Sequence, residues 1–243
     1  MQKVVIIPTY NEKSNIEPMV HKVLSIEGDY HLLIIDDGSP DGTANIVKGL
    51  QEKYSSRLHL IEREGKLGLG TAYIAGFKWA LSNGYDYIFE MDADFSHNPD
   101  DLNRLYEACE KGADVAIGSR YIKGVNVVNW PMKRVLMSYF ASMYVRVITG
   151  MKIMDTTAGF KCYRAKVLNS FELDKIRFKG YAFQIEMKFT AWKMGYNIVE
   201  VPIVFTERRE GVSKMSGGIF YEAFWGVLSM KVKSIGKKYN IAS

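Results

Sequence analysis

Cysteine is nearly missing from this sequence: Cys109 and Cys162 are the only two in 243 residues. They stand far apart without C-x-x-C spacing, which speaks against a disulfide framework or a zinc site and points to a reducing cytoplasm. No apolar run reaches the ~20 residues a bilayer span requires. The stretches 135–151 and 219–232 are broken by Arg146, Glu222 and Lys231, so no transmembrane helix is expected. The opening MQKVVIIPTY holds a short apolar run ended by Pro8, which reads as a first buried strand and not as a signal peptide. Internal repeats and low-complexity segments are also lacking, which removes solenoids. Nor is there a large excess of one charge. The 32 basic and 27 acidic residues leave +5, which suits phosphorylated substrates or anionic lipid headgroups but is too little to argue for nucleic acid binding.

What is present is the composition of a globular protein, 47% hydrophobic and 24% charged, at a length that suits one domain with a modest C-terminal elaboration. Short β-branched runs, KVVIIPT, HLLIIDD, RLHLIER, YDYIFEMD and DVAIGSR, alternate with Glu/Lys/Leu-rich helical stretches. That order predicts an α/β fold with a mostly parallel, doubly wound sheet flanked by helices. Ligands of such sheets bind beyond the carboxyl ends of the strands. Three polar clusters fall there: Pro8-Thr9-Tyr10-Asn11-Glu12, Asp36 through Asp41, and Asp92-Ala93-Asp94. They are expected to face one crevice.

From about Trp130 the pattern changes. A helix is expected over 133–150, then a loop DTTAGFKCYR, then a strand NIVEVPIVF, and this half is read as the acceptor side. The tail 217–243 carries Phe220, Tyr221, Phe224, Trp225, Leu228 and Val232, with Lys231, Lys233, Lys237 and Lys238 late. It reads as an amphipathic helix with a basic end, following a domain over 1–216.

Asp92 and Asp94 form a D-x-D at a strand exit, where alternate residues point to one side and two carboxylates converge. Such a pair suits Mg²⁺ or Mn²⁺, whose remaining ligands come from substrate phosphate and water, with Ser96 or a water it holds as a further oxygen donor. The competing reading is a solvated loop that caps the helix after Pro99. The DDGSPDGT cluster reads as a strand-to-helix turn in which Asp41 or Thr43 caps and Asp37 meets a base or ribose. GKLGLGTAY is a glycine-rich helix entry of the kind where backbone N–H groups meet phosphate. Its spacing matches neither a dinucleotide fingerprint nor a P-loop, which disfavours a dehydrogenase. Arg120, Lys133, Arg134, Arg208, Arg209 and Lys214 are separated basic residues whose value lies in joint engagement of phosphates. The glycines around Lys214 indicate a loop able to close over a ligand. His97 reads as a surface loop residue.

Taken in order, PTYNE, DDGSPDGT, KLGLGTAY, MDADFSH, GSRY, DTTAGFKCYR, GYAFQIEM and ERREGVSK resemble the dolichyl-phosphate and polyprenyl-phosphate mannose synthases of family 2 glycosyltransferases. The match spans nearly all of residues 1–220. The resemblance implies a GT-A fold and transfer of mannose from GDP-mannose to a polyprenyl phosphate, with inversion. It places Pro8, Tyr10, Glu12, Ile35 and Asp37 on the guanine nucleotide, and Asp92, Ala93, Asp94 and Ser96 at the metal and diphosphate. Arg120, Arg208 and Lys214 would contact donor phosphate or sugar, and Arg134, with Arg120, the lipid phosphate. Ser96 departs from the Gln of many prokaryotic relatives. The implied partner is the lipid phosphate; Phe220, Phe224, Trp225 and the late lysines are read either as docking peripherally on the inner leaflet of the membrane or as part of a C-terminal helix packed on the core. A UDP-glucose:polyprenyl-phosphate glucosyltransferase, another family 2 enzyme or a non-catalytic nucleotide-binding module are the alternatives.

Overall fold

The computed structural model describes residues 1–207, 217–236 and 239, with the side chains of Tyr181 and residues 217–223 outside the description. In chain order the elements are β1 (Lys3–Thr9), α1 (Lys13–Ser25), β2 (Tyr30–Asp36), α2 (Thr43–Lys53), β3 (Leu58–Glu62), α3 (Leu69–Ser82) and β4 (Tyr87–Glu90). There follow α4 (Asp101–Glu110), β5 (Val115–Ser119), β6 (Val127–Val128), α5 (Met132–Thr149), β7 (Lys161–Arg164) and α6 (Ala165–Asn169). A 3₁₀ turn (Leu173–Lys175), α7 (Tyr181–Lys193), β8 (Ile198–Pro202), β9 (Phe205–Thr206) and α8 (Gly217–Lys233) complete the described chain.

The main sheet runs β3-β2-β1-β4-β7-β5-β8, and β6 pairs separately with β9. Its central strands are apolar on both faces because both faces are covered. Period-two alternation divides β1: Val4 and Ile6 enter the core under α3 and α7, while Val5 and Ile7 enter the core under α1 and α4. Each of these four side chains is fully buried, contributing about 1.5–3 kcal/mol of apolar transfer.

β7 departs from expectation. The end of DTTAGFKCYR, read as loop, is an antiparallel strand inserted between the otherwise parallel β4 and β5. Four residues containing Lys161 carry no apolar run to announce a strand. The insertion holds because Lys161 lies opposite Glu90 in the β4 register and the two side chains pair at 3.0 Å. The helix expected over 133–150 is α5, and the expected five parallel strands are β1 to β5.

α8 lies against α5 and α7. Val227 and Met230 join the core, Tyr144 stacks on Phe224 with centroids 4.7 Å apart, and the Tyr144 hydroxyl donates to the Phe224 carbonyl at 3.0 Å. The outer face of α5 is apolar yet exposed at Met132, Leu136, Phe140, Met143 and Val147, a helical stripe. Phe224, Trp225 and Val232 of α8 are likewise exposed. No helix among the described residues is long and apolar enough to cross a membrane.

Candidate active site

A cavity of about 1090 Å³ opens at the carboxyl ends of β1, β2, β4 and β5, with α5, α7 and α8 forming its far wall. Pro8, Tyr10, Glu12, Asp37, Asp92, Ala93, Asp94, Ser96, Arg120 and Arg134 all line it. The three polar strand exits therefore share one crevice. Ile35 is not among the lining residues. It is fully buried in the sheet, packed where α3 comes close at Gly76.

The β1 and β2 exits are stitched by side chains. Asp36, 1% exposed, accepts from the Thr9 hydroxyl (2.9 Å), the Ser39 amide (2.8 Å) and the Ser39 hydroxyl (2.6 Å). Asp41 accepts from the amides of Thr43 and Lys13, each at 3.0 Å, so it ties the start of α2 to that of α1. Burial would raise the Asp41 carboxyl, but these hydrogen bonds outweigh it and hold it below its ordinary value. Asp37 is left for the cavity, braced by Arg63 at 2.7 Å, and Arg63 donates onward to Thr71 at 2.8 Å. Nothing in the spacing marked Arg63.

The glycine-rich entry to α3 packs against protein. The Gly70 amide donates to the Lys179 carbonyl at 2.8 Å, and a Cβ at Gly70 would lie 2.7 Å from the Phe178 carbonyl oxygen. Glycine is required there by close approach of the segment that opens α7.

The D-x-D loop turns through Phe95 at φ +58°. Asp94 is buried and accepts from the Ser96 amide at 3.0 Å, while the Asp92 side chain is 41% exposed toward the cavity. At the start of α4 the N-cap Asp100 makes no side-chain capping bond, and its amide donates to Asn98 Oδ1 at 3.1 Å. His97 is not a surface residue. It is 3% exposed, stacked on Phe160 and edge-on to Phe205, each at 5.1 Å. Burial, aided by Arg120 and opposed by Asp94 and Asp155, lowers its pKa to about 4, so the ring is neutral near pH 7. Its Nδ1 accepts the Asp92 amide hydrogen at 3.4 Å.

The segment 155–161 braces this site from beneath. Asp155 takes Nε and Nη2 of Arg120, each at 2.7 Å, and Thr157 takes Nη2 at 2.8 Å. Glu200 of β8 holds the Met154 and Asp155 amides at 2.7 and 2.9 Å. Lys188 of α7, fully buried, donates to the carbonyls of Thr156, Ala158 and Gln184 at 3.1, 2.6 and 3.1 Å. Arg134 pairs with Glu207 at 2.6 Å and lies 4.0 Å from the Trp130 ring centroid. Arg208, Arg209, Gly211 and Lys214 lie outside the described residues, as do Lys237 and Lys238. Among the described residues no group of three or more His, Cys, Asp or Glu side chains forms a protein-only metal cage. A pair of carboxylates on a large cavity is the donor set that leaves positions open for diphosphate oxygens and water.

The glycosyl transferase family 2 model matches residues 4–171. A polyprenol monophosphomannose synthase of Mycolicibacterium smegmatis is 47% identical over 228 residues, covering 92% of this chain and 86% of that protein. An undecaprenyl-phosphate mannosyltransferase of Micrococcus luteus is 45% identical over 232 residues, 93% of this chain and 95% of that one. Among solved structures, a Mycobacterium tuberculosis glucosyl-3-phosphoglycerate synthase with Mn²⁺, UDP-glucose and glycerol 3-phosphate superposes with a TM-score of 0.68 at 19% identity, over 95% of this chain and 80% of that one. A Pyrobaculum calidifontis mannosyltransferase in complex with GDP-mannose and Mn²⁺ gives 0.59 at 18% identity, over 98% and 65%. At these identities the two structures establish the GT-A fold alone.

Proposed function

Because the chain belongs to glycosyl transferase family 2 and is a glycosyltransferase, we propose that it transfers mannose from GDP-mannose to a polyprenyl monophosphate, releasing GDP. The observation that supports this most is the two-sided cavity. One side carries Tyr10, Glu12, Asp37, Asp92 and Asp94, and the other is apolar, with Met137, Ala141, Val145, Phe224 and Val227. A polar nucleotide sugar suits the first side and a prenyl chain the second. The names of the two relatives favour mannose and a lipid phosphate.

Asp92, Asp94 and Ser96 would hold Mg²⁺ or Mn²⁺, which when bound offsets charge on the diphosphate. Pro8, Tyr10, Glu12 and Asp37 would seat the nucleotide, with Ala93 at the diphosphate. Ile35, behind that wall, would act only through packing. A phosphate oxygen of the lipid attacks the anomeric carbon as its bond to the diphosphate oxygen breaks, inverting configuration. The acceptor is ionised near neutral pH, so no general base is needed. Arg120 and Arg134 would orient the acceptor phosphate, and Arg208 and Lys214 would stabilise the leaving group.

The division into a catalytic domain over 1–216 and a C-terminal helix from 217 belongs to this proposal. So does peripheral attachment to the inner leaflet, supported by the exposed apolar residues of α5 and α8. The test is transfer of radiolabelled sugar from GDP-mannose or UDP-glucose to a short polyprenyl phosphate, with Mg²⁺ or Mn²⁺ and a chelator control. Chelator-sensitive mannose in the lipid phase is the expected result. Glucose alone would move the assignment to a glucosyltransferase, and no transfer from either donor would overturn it.

A further inference from the structure

Gln184 sits in the first turn of α7 and reaches the cavity floor, where it is 3% exposed and lines the cavity beside the D-x-D loop. Its amide is held by a buried ion pair. Gln184 Nε2 donates to Glu90 Oε2 at 2.7 Å, and Lys161 Nζ donates to Gln184 Oε1. Glu90 and Lys161 are both fully buried and pair with each other at 3.0 Å. The two charges fix which end of the amide is nitrogen: Nε2 must face the carboxylate and Oε1 the ammonium. Glu90 uses one hydrogen of Nε2, and the second remains for another acceptor.

That second hydrogen is reachable because of Gly159. A Cβ at position 159 would stand 3.9 Å from Gln184 Nε2 and 3.9 Å from His97 Cε1, over the floor between them. Gly159 has no left-handed backbone and a Cβ there would meet only ordinary van der Waals contacts, so neither strain nor a clash demands glycine, and its lack of a side chain keeps the floor open. The residue thus leaves a window from the cavity to an oriented amide, beside the His97 ring. Neither Gln184 nor Gly159 is assigned to the base or the diphosphate, which on the donor reading the strand exits would serve. A hydroxyl-rich ring beside the diphosphate is the ligand portion that an oriented, uncharged N–H donor recognises.

Resting on the donor reading above, we infer that Gln184, seen through the window left by Gly159, donates a hydrogen bond to a hydroxyl of the donor hexose and helps select the sugar. A buried amide whose partners are pre-set cannot rotate to follow a misplaced hydroxyl, so it discriminates between epimers as well as binding.

The experiment compares wild type, Gln184→Met and Gly159→Ala in transfer from GDP-mannose and from its 2-, 3-, 4- and 6-deoxy analogues, alongside inhibition by GDP. Wild type should lose about 10-fold or more in kcat/KM with the analogue lacking the contacted hydroxyl. Gln184→Met should lose a comparable factor with GDP-mannose and show no added penalty for that analogue, while GDP inhibition stays within twofold of wild type. Gly159→Ala makes only ordinary van der Waals contacts and leaves the buried network whole. It should lower kcat/KM for GDP-mannose and spare GDP. A wild type inert toward GDP-mannose overturns the donor reading and this inference with it. An active wild type whose deoxy penalties persist unchanged in Gln184→Met, or a Gly159→Ala enzyme with full kcat/KM, overturns this inference alone.

Discussion

The guanidinium of Arg120 and the carboxylate of Asp155 meet as a two-pronged pair, Nε to Oδ2 and Nη2 to Oδ1 at 2.7 Å, with the Asp155 side chain wholly buried. Asp155 also accepts the Arg120 amide at 3.0 Å. The end of β5 and the segment before β7 are thereby locked together, and the arginine is fixed in the cavity wall.

Asp155→Asn removes the buried carboxylate that pairs two-pronged with Arg120, so it should destabilise the fold by about 3 kcal/mol. Burial would raise the Asp155 carboxyl, but Arg120 outweighs burial and holds it below the ordinary 3.8. A carboxyl lowered by folding stabilises above its unfolded pKa and loses that stability as pH falls through the folded value. Urea unfolding of wild type and Asp155→Asn should therefore differ fully at pH 6 and converge as pH drops below 3.8. A constant difference across that window would remove the ion-pair account.

Asp94→Ala should reduce turnover by about 100-fold or more, with the circular dichroism spectrum unchanged, because Asp94 lies in the loop after β4 and outside every helix and strand. Activity near that of wild type would refute the metal assignment.

Arg134 is half of a pair with Glu207 and rests on Trp130. If it orients the acceptor phosphate, Arg134→Ala should lower kcat/KM for polyprenyl phosphate by roughly 10-fold or more and leave KM for GDP-mannose within twofold. Equal loss for both substrates would assign the residue to general wall structure.

The half of the cavity assigned above to the donor was legible because it is built at strand ends. Apolar runs broken by Asp36-Asp37 and by Asp92-x-Asp94 mark both the strand and its exit in the same few letters, and Asp37, Asp92 and Asp94 do line one cavity. The brace beneath was not legible. Lys161, Glu90 and Gln184 are polar residues far apart in sequence, and only the antiparallel insertion of β7 brings them together. His97 was misread because a polar residue after a D-x-D resembles loop, whereas two aromatic neighbours from distant segments enclose it.

Cys109 and Cys162 are both buried and free, and burial pushes the Cys162 thiol well up. Burial shields both sulfurs, so neither should react with a thiol reagent in the folded protein. Two thiols should appear on denaturation without reductant, and fewer than two would reveal a disulfide.

The exposed apolar residues of α5 and α8 make the last expectation quantitative. Phe140 and Trp225 are each 52% exposed, and both helices also line the cavity through Met137 and Phe224. A surface continuous with the acceptor side would let a prenyl chain pass from bilayer to site without crossing water. Each ring buried in lipid contributes up to about 1.5–3 kcal/mol, so Phe140→Ala with Trp225→Ala should weaken vesicle partitioning by about 10-fold or more. Transfer to a short, water-soluble acceptor should persist, because neither residue is among those lining the cavity. Flotation with anionic vesicles reads the first effect and the transfer assay the second. Unchanged flotation would mean that this face serves some surface other than the membrane.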